Sequence, residues 1–453
     1  MAHLLNPSEH SWLLLGSKTT PMHLGALLIF KLPAKAAKGH VAGLIAQLRA
    51  PADIVAPWNY TLVKGLRPAW SESSEVDLDY HVRHTALPEP GGERELGGLV
   101  SRLHSHPLDM RRPLWECHLI EGLSDGRYAL FFKMHHSLTD SSGFYRLLTD
   151  WLASVKSGKV SAAPWTTLSQ RSTADAKWAR PILASVNSPK SAWQSAVAMS
   201  GAFGRLLRAG SGASAALKRP YQAPRSPLNV PIGPSRRLAT QKYSQARLTQ
   251  LAQASSSSVE CIILYLCATA LRRFFKEYNA LPDAPLIAAI PSQRQGDSSA
   301  ASLNLVSLAS HIADPLKRLA AINQSYSASK SHLEGLSEGL KTVYTGITAL
   351  PYVVGQLSGA SALVPAMFNI NISSETGPAE RQYCNGAELV EFYPMFPLAQ
   401  DSALSITCLH YADNIHIGIC GARETLPSLQ RLAVYMEQAL DDLGAMLEEG
   451  AVQ

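Results

Sequence analysis

Apolar residues recur along this chain in two rhythms. A period near 3.6 puts Val41, Leu44, Ile45 and Leu48 on one face of a helix over residues 40–50, and gathers Leu96, Leu99, Val100 and Leu103 on another. Strand-like runs lie before and after these helices, over 22–32, 115–120 and 127–136. Farther along, helices are predicted from about Val259 to Tyr278 and from Pro315 to about Leu333. Leu404, Ile406 and Cys408 alternate, as do Ile415, Ile417 and Ile419. Ala412-Asp413-Asn414 between the two runs marks a β-hairpin. A closing helix is predicted over 426–447, with Pro427 in its first turn and Leu429, Leu432, Met436, Leu440 and Leu443 as its buried stripe. Helices and strands mixed in this order predict an α/β or α+β fold.

The pattern fails in the middle. Residues 157–235 are rich in Ser, Ala, Pro and Lys, and prolines at 164, 181, 189, 220, 224, 227, 231 and 234 leave room for one helix, Ser191 to Arg208. Its Trp193, Val197, Met199, Phe203, Leu206 and Leu207 face either the protein's own surface, the more frequent case, or a lipid interface. The chain of 453 residues therefore divides into folded regions 1–156 and 236–453 around a connector at 157–235.

Charge sharpens this division. The net charge is only +6, too mild to suggest nucleic acid, but 14 Lys or Arg residues and a single acid, Asp175, lie between Trp151 and Lys242. Such a strip suits anionic surfaces such as lipid headgroups or cofactor phosphates, or else is a solvated linker. The six cysteines, Cys117, Cys261, Cys267, Cys384, Cys408 and Cys420, form no CxxC pair, which excludes a zinc site and a disulfide framework. No apolar run reaches the roughly 18 residues a bilayer demands, the best being Cys261 to Leu271. No secretory leader pattern is present. The expected location is cytoplasmic, with contact to membrane or lipid bodies from one side at most.

The candidate chemistry is His135-His136-Ser137-Leu138-Thr139-Asp140, which follows the strand Tyr128 to Met134 directly. Strand side chains alternate faces, so His136 shares one face with Leu130, Phe132 and Met134, while His135 shares the other with Phe131 and Lys133. An imidazole ending an apolar row is favoured in its neutral form and suits removal of a hydroxyl proton. Asp140 precedes Phe144, Leu147, Leu148, Trp151 and Leu152 at helical spacing, so it either caps that helix or pairs with a basic group. Adjacent histidines before a helix also occur as purely structural features. No cysteine sits in a recognisable triad context to offer a nucleophile instead.

This segment resembles the HHxxxDG motif of the wax ester synthase/diacylglycerol acyltransferase family, within the CoA-dependent acyltransferases that include chloramphenicol acetyltransferase and peptide-synthetase condensation domains. Other stretches resemble the family's signatures in the same order. Pro7-Ser8-Glu9 with Trp12-Leu13, and Thr20 to Gly25, look like its opening; Asp77 to Arg83 looks like its next signature. Arg112-Pro113-Leu114-Trp115-Glu116 is similar to its PLW motif. Phe368 to Ser374, Gly377-Pro378, Asn385-Gly386-Ala387 and Tyr393-Pro394 are similar to its NVPGP region.

The resemblance implies two chloramphenicol-acetyltransferase-like domains, at 1–156 and 236–453, with an active-site tunnel at their interface. It implies an acyl-CoA-dependent O-acyltransferase for long-chain alcohols or diacylglycerol, with acyl-CoA as co-substrate, no permanently bound cofactor and no metal. His136 is the implied base, with His135 beside it; Asp140 is the implied structural partner of Arg294. Pro113, Leu114, Trp115, Ser141, Glu260, Asn371, Ser373, Gly377 and Pro378 are the implied tunnel residues. Three departures stand out. The family's glycine after the motif aspartate is Ser141, its Asn-Val-Pro-Gly-Pro is Ser374-Glu375-Thr376-Gly377-Pro378, and the Asn-Asp pair opening the helix near Val259 is Glu260-Cys261. They leave open a weakly active or non-catalytic lipid-binding paralogue, or a different acceptor.

Overall fold

A computed structural model describes residues 2–452 apart from 34–35, 37–38, 66–67, 157–160, 168–215, 295–296, 335, 337 and 359–364. The helix expected over Ser191–Arg208 lies outside the described residues. So does the side chain of Arg294.

The chain opens with a short strand, β1 (Ala2–Leu4), and a helix, α1 (Pro7–Leu15). Asn6 and Glu9 form a reciprocal capping box at the start of α1, the Asn6 side chain accepting from the Glu9 N–H at 2.8 Å. β1 pairs with β4 (Ala69–Glu72), and β4 with β3 (Tyr60–Val63), making a small antiparallel sheet. Two larger sheets carry the fold. The first contains β2 (His23–Lys31), β5 (Val82–Ala86), β6 (Trp115–Leu123) and β7 (Arg127–His135). The second is built from β8 (Arg236–Ser244), β9 (Ile287–Arg294), β10 (Asp297–Ser307), β11 (Ile370–Thr376), β14 (Leu404–Tyr411) and β15 (Asn414–Ala422). Its order is β10-β9-β11-β14-β15-β8, parallel where β11 meets β9 and β14. The hairpin expected around Ala412-Asp413-Asn414 is β14–β15, with Tyr411 opposite Asn414.

The sheets do not respect the order of the chain. β12 (Tyr383–Cys384) and β13 (Ala387–Met395) come from the C-terminal half, yet they complete the first sheet, whose order is β12-β13-β2-β7-β6-β5. β2 is consequently paired on both edges, and every residue from His23 to Phe30 is buried, as its nearly unbroken apolar run requires. β13 passes so close to β15 that a Cβ on Gly418 would lie 1.7 Å from the Pro394 carbonyl oxygen. Only glycine allows that approach.

The helices fill the faces. α2 (His40–Arg49) buries Leu44 and Leu48. The one-turn α3 (Leu78–His81) starts on an Asp77 cap, and α4 (Glu93–Ser105) buries Leu96, Leu99 and Val100. α4 also bridges the halves: its Ser101 and Ser105 hydroxyls accept from the Leu238 and Arg236 N–H groups at 3.0 and 2.8 Å, satisfying donors of the edge strand β8. α5 (Ser141–Leu147) ends before Leu148, so the apolar row expected there finishes in turns, with Leu148 and Trp151 still buried. In the second half, α6 (Gln245–Ala254) and α7 (Val259–Glu277) start on Ser244 and Ser258 caps. α8 (Pro315–Glu334), α9 (Glu338–Ser358) and α10 (Gln430–Val452) follow. α10 begins later than its pattern suggested. The Pro427 carbonyl is taken by the Arg237 guanidinium at 2.6 Å, and the Arg431 N–H turns to Ser428 instead, so 427–429 form a tight turn ahead of the helix. No single helix among the described residues is long and apolar enough to cross a membrane.

Candidate active site

β7 delivers the two histidines to its exit, and the lead-ins of its neighbouring strands hold their backbone. The His135 N–H donates to the Leu114 carbonyl at 2.9 Å, and the His136 N–H to the Met22 carbonyl at 2.8 Å. Leu114 and Met22 directly precede β6 and β2, so the motif is fixed from both flanks. Strand alternation then parts the side chains. Phe131 belongs to the core dominated by the second half, whereas Leu130, Phe132 and Met134 belong to a core built mainly from the first, with Leu389 and Phe392 of β13.

His135 faces inward among structural groups. Its Nδ1 accepts from the Ser137 N–H at 3.2 Å and lies 2.7 Å from the Ser137 hydroxyl, which leaves the proton on Nε2. On the same face, the buried Lys133 ammonium donates to Glu116 at 3.2 Å and to the His106 carbonyl at 3.0 Å, and Glu116 also contacts His118 at 3.1 Å. Burial, then the neighbouring His136, hold the His135 imidazole down at about 3.

His136 has different company. Trp12 of α1 stacks on it, with ring centroids 3.9 Å apart and planes 14° from parallel. Phe396, just past β13, meets it edge-on at 5.5 Å. His136 is only 8% exposed, and burial lowers its pKa to about 4, although a hydrogen bond to its own backbone pulls the other way. Nδ1 is buried and has no hydrogen-bond partner among the described residues. Neither Trp12 nor Phe396 carried a signal for this contact in the sequence, because both come from distant segments.

Asp140 is the cap of α5: its Oδ1 accepts from the Gly143 N–H at 2.6 Å. Of the implied tunnel residues, Pro113, Leu114 and Trp115 are buried. Trp115 packs against His81, Trp58 and Trp165 and donates to the Trp58 carbonyl at 2.7 Å, so its side chain belongs to the domain core rather than to a passage. Ser373 is buried against Thr407 at 3.2 Å, while Asn371 sits half-buried between Ala289 and Ser405 in register. The Gly377 N–H donates to the His410 carbonyl at 2.8 Å, and the Pro378 carbonyl accepts from Ala412 at 3.0 Å. Glu260 is exposed in the first turn of α7; burial lowers the His410 imidazole, Glu260 opposes that in part, and the ring lies 3.2 Å from the Ser374 hydroxyl.

Glu375 was not a candidate, although its segment was. It is buried on β11 and accepts from the Ser142 hydroxyl at 2.8 Å. No group of three or more His, Cys, Asp or Glu residues among the described residues fits a metal ion. Burial raises the thiols of Cys117, Cys384, Cys408 and Cys420, which makes them poor nucleophiles.

The two mixed sheets and their shared core are the architecture of the condensation domains. The first condensation domain of the CDA synthetase superposes with a TM-score of 0.58 over 99% of this chain and 96% of its own, at 14% identity, a likeness of fold alone. The specific relationship is closer. Residues 5–261 match the wax ester synthase/diacylglycerol acyltransferase catalytic domain, and residues 300–444 match the WS/DGAT C-terminal domain. The wax ester synthase/diacylglycerol acyltransferase from Marinobacter aquaeolei VT8 superposes with a TM-score of 0.78 at 32% identity, over 98% of this chain and 100% of that one. A Mycobacterium tuberculosis relative named "Probable diacylglycerol O-acyltransferase tgs2" is 34% identical over 450 residues, 97% of this chain and 98% of its own. The chain belongs to the wax ester synthase/diacylglycerol acyltransferase family, and it is an acyltransferase.

Proposed function

We propose that the enzyme transfers fatty acyl groups from acyl-CoA to the hydroxyl of long-chain alcohols or diacylglycerol, with His136 as general base. The observation that carries this reading is the state of His136: a buried imidazole, neutral at physiological pH, clamped by Trp12 and Phe396. The imidazole takes the alcohol proton as the alkoxide oxygen attacks the thioester carbonyl carbon. The tetrahedral adduct collapses, the C–S bond breaks, and the departing CoA sulfur recovers the proton from His136. An ester bond forms and a thioester is lost, with no acyl-enzyme. The low basicity of the buried ring keeps the imidazolium short-lived, which favours proton transfer concerted with attack. Asp140 holds the turn behind the base and pairs with Arg294.

Such acceptors reside in membranes and lipid bodies, and we place the enzyme on their surface. Ile347, Leu350, Val354 and Leu357 lie on one stripe of α9, each 50–58% exposed. α9 packs against α1, the helix that brings Trp12 to His136. An apolar stripe so close to the site suits a lipid surface that feeds it.

CoA release from palmitoyl-CoA, measured against hexadecanol, a diacylglycerol and short alcohols, tests the reading. Turnover with at least one lipid alcohol, lost in His136→Ala, is expected. Absence of release with every acceptor refutes it.

A further inference from the structure

We propose that Glu375, reaching from β11 to the hydroxyls of Ser141 and Ser142, is a positioning residue that clasps the first turn of α5 to the second sheet and so holds the His136 loop in place. The inference rests on His136 being the base. It begins with two departures from the family pattern that lie 234 positions apart in sequence and meet in space. A serine replaces glycine directly after Asp140, and a glutamate replaces valine on β11. The Ser142 hydroxyl donates to Glu375 Oε2 at 2.8 Å, and the Ser141 hydroxyl donates to the same carboxyl. Without the serine hydroxyls the buried Glu375 carboxyl would lose its donors. Together the serines and the carboxyl satisfy each other across the seam between the halves.

The clasp is sensitive to protonation. Burial first, and the nearby Asp140 carboxylate after it, raise the Glu375 carboxyl to about 7, while the two serine hydroxyls hold it from rising farther. Tyr145 of α5 faces it too, and its phenol is raised by burial and by Glu375. From the second sheet, His410 stands beside the neighbouring Thr376 in register. A carboxyl raised on folding stabilises the protein least at high pH. The unfolded chain ionises freely above its ordinary value near 4.5, whereas the folded chain resists until about 7. Stability is therefore greatest in acid and falls as pH rises from about 4.5 through 7, when an ionised, desolvated Glu375 confronts Asp140 and strains the loop that the serines tie to it.

Three variants test it, compared with wild type from pH 5 to 8.5: Glu375→Gln, Glu375→Val, and Glu375→Val with Ser141→Gly. Thermal melting without substrate and kcat by CoA release are the readouts. Glu375→Gln keeps the hydrogen bonds and cannot ionise, so its melting temperature should exceed that of wild type at pH 8. The fall of wild-type kcat near pH 7 should vanish in it, with KM unchanged. Glu375→Val should lower kcat by about 10- to 100-fold, the scale of a small misplacement of catalytic groups, and the double variant should recover most of it. Glu375→Gln profiles that superimpose on wild type in both readouts, or full kcat in Glu375→Val, overturn the proposal. A melting difference in a protein that turns over no alcohol leaves the clasp standing and removes the acyl-transfer reading instead.

Discussion

Trp12 lies flat on His136, 3.9 Å between ring centroids, although 124 positions separate them. The indole covers one face of the imidazole and keeps water from it, which disfavours the charged form. A His lowered to about 4 is neutral through the physiological range, and activity that needs the neutral ring is lost only as pH falls through that value. Trp12→Ala should hydrate the ring and move the acid limb of kcat/KM upward, toward the ordinary 6.5. A limb that stays where it is in the variant means the stack does not set the basicity.

The two histidines should part company in a mutant pair. His136→Ala should lower kcat by about 100- to 10,000-fold, the worth of a positioned base, with the fold retained. His135→Ala should cost less turnover and more melting temperature, because it removes the acceptor for Ser137. Equal losses of kcat in both would defeat the division of faces.

Asp140 offers a measured choice between roles. The cap that it makes to the Gly143 N–H is worth about 0.5–2 kcal/mol by itself. A buried pair with Arg294, broken from one side, costs about 3–5 kcal/mol. Denaturant unfolding of Asp140→Ala, Arg294→Ala and the double variant decides: strong non-additivity supports the pair, and additive effects leave only the cap.

Two glycines should respond in opposite directions. Gly418→Ala would place its Cβ against the Pro394 carbonyl and should block folding or cost several kcal/mol. Gly98 sits mid-helix in α4 with nothing near its missing Cβ, so Gly98→Ala should stabilise by about 0.5–1 kcal/mol. Chemical denaturation of both checks the pair.

Sedimentation with vesicles tests the lipid surface. Pelleting with anionic vesicles should weaken with salt if the basic stretch between Trp151 and Lys242 contributes, since exposed charges are screened over about 8–10 Å. Leu350→Glu with Val354→Glu should reduce binding at every salt concentration if the α9 stripe inserts. Binding unaffected by either change would leave the acceptor to arrive by another route.

Much of this was legible in the sequence, and for definite reasons. The strand face that His136 shares was legible because strand alternation is a local property, and β7 kept it: the even-numbered residues Leu130, Phe132 and Met134 all entered one core. The hairpin around Asp413 and the stripes of α2 and α4 were visible on the same grounds. What stayed hidden was non-local. Trp12, Phe396 and Glu375 reach the motif from segments that no window containing it includes. α9 was missed because Pro351 interrupts it and its apolar stripe looks outward, so periodicity did not coincide with burial. β9 escaped because Pro291 breaks a strand pattern.

The crossing of β13 also has a bearing on synthesis. Glu388 pairs with Lys31 and Met395 with Gly25, contacts that span more than 350 residues. While the ribosome is still making the second half, β2 has one bare edge and a row of unmet backbone groups, in a strand whose side chains are almost all apolar. The first half therefore cannot finish before the chain is mostly translated, and pairing at that separation is slow. A fragment ending before Tyr383 should aggregate rather than yield a working half-enzyme. Coexpressed residues 383–453 should rescue its solubility only if they can still reach that edge.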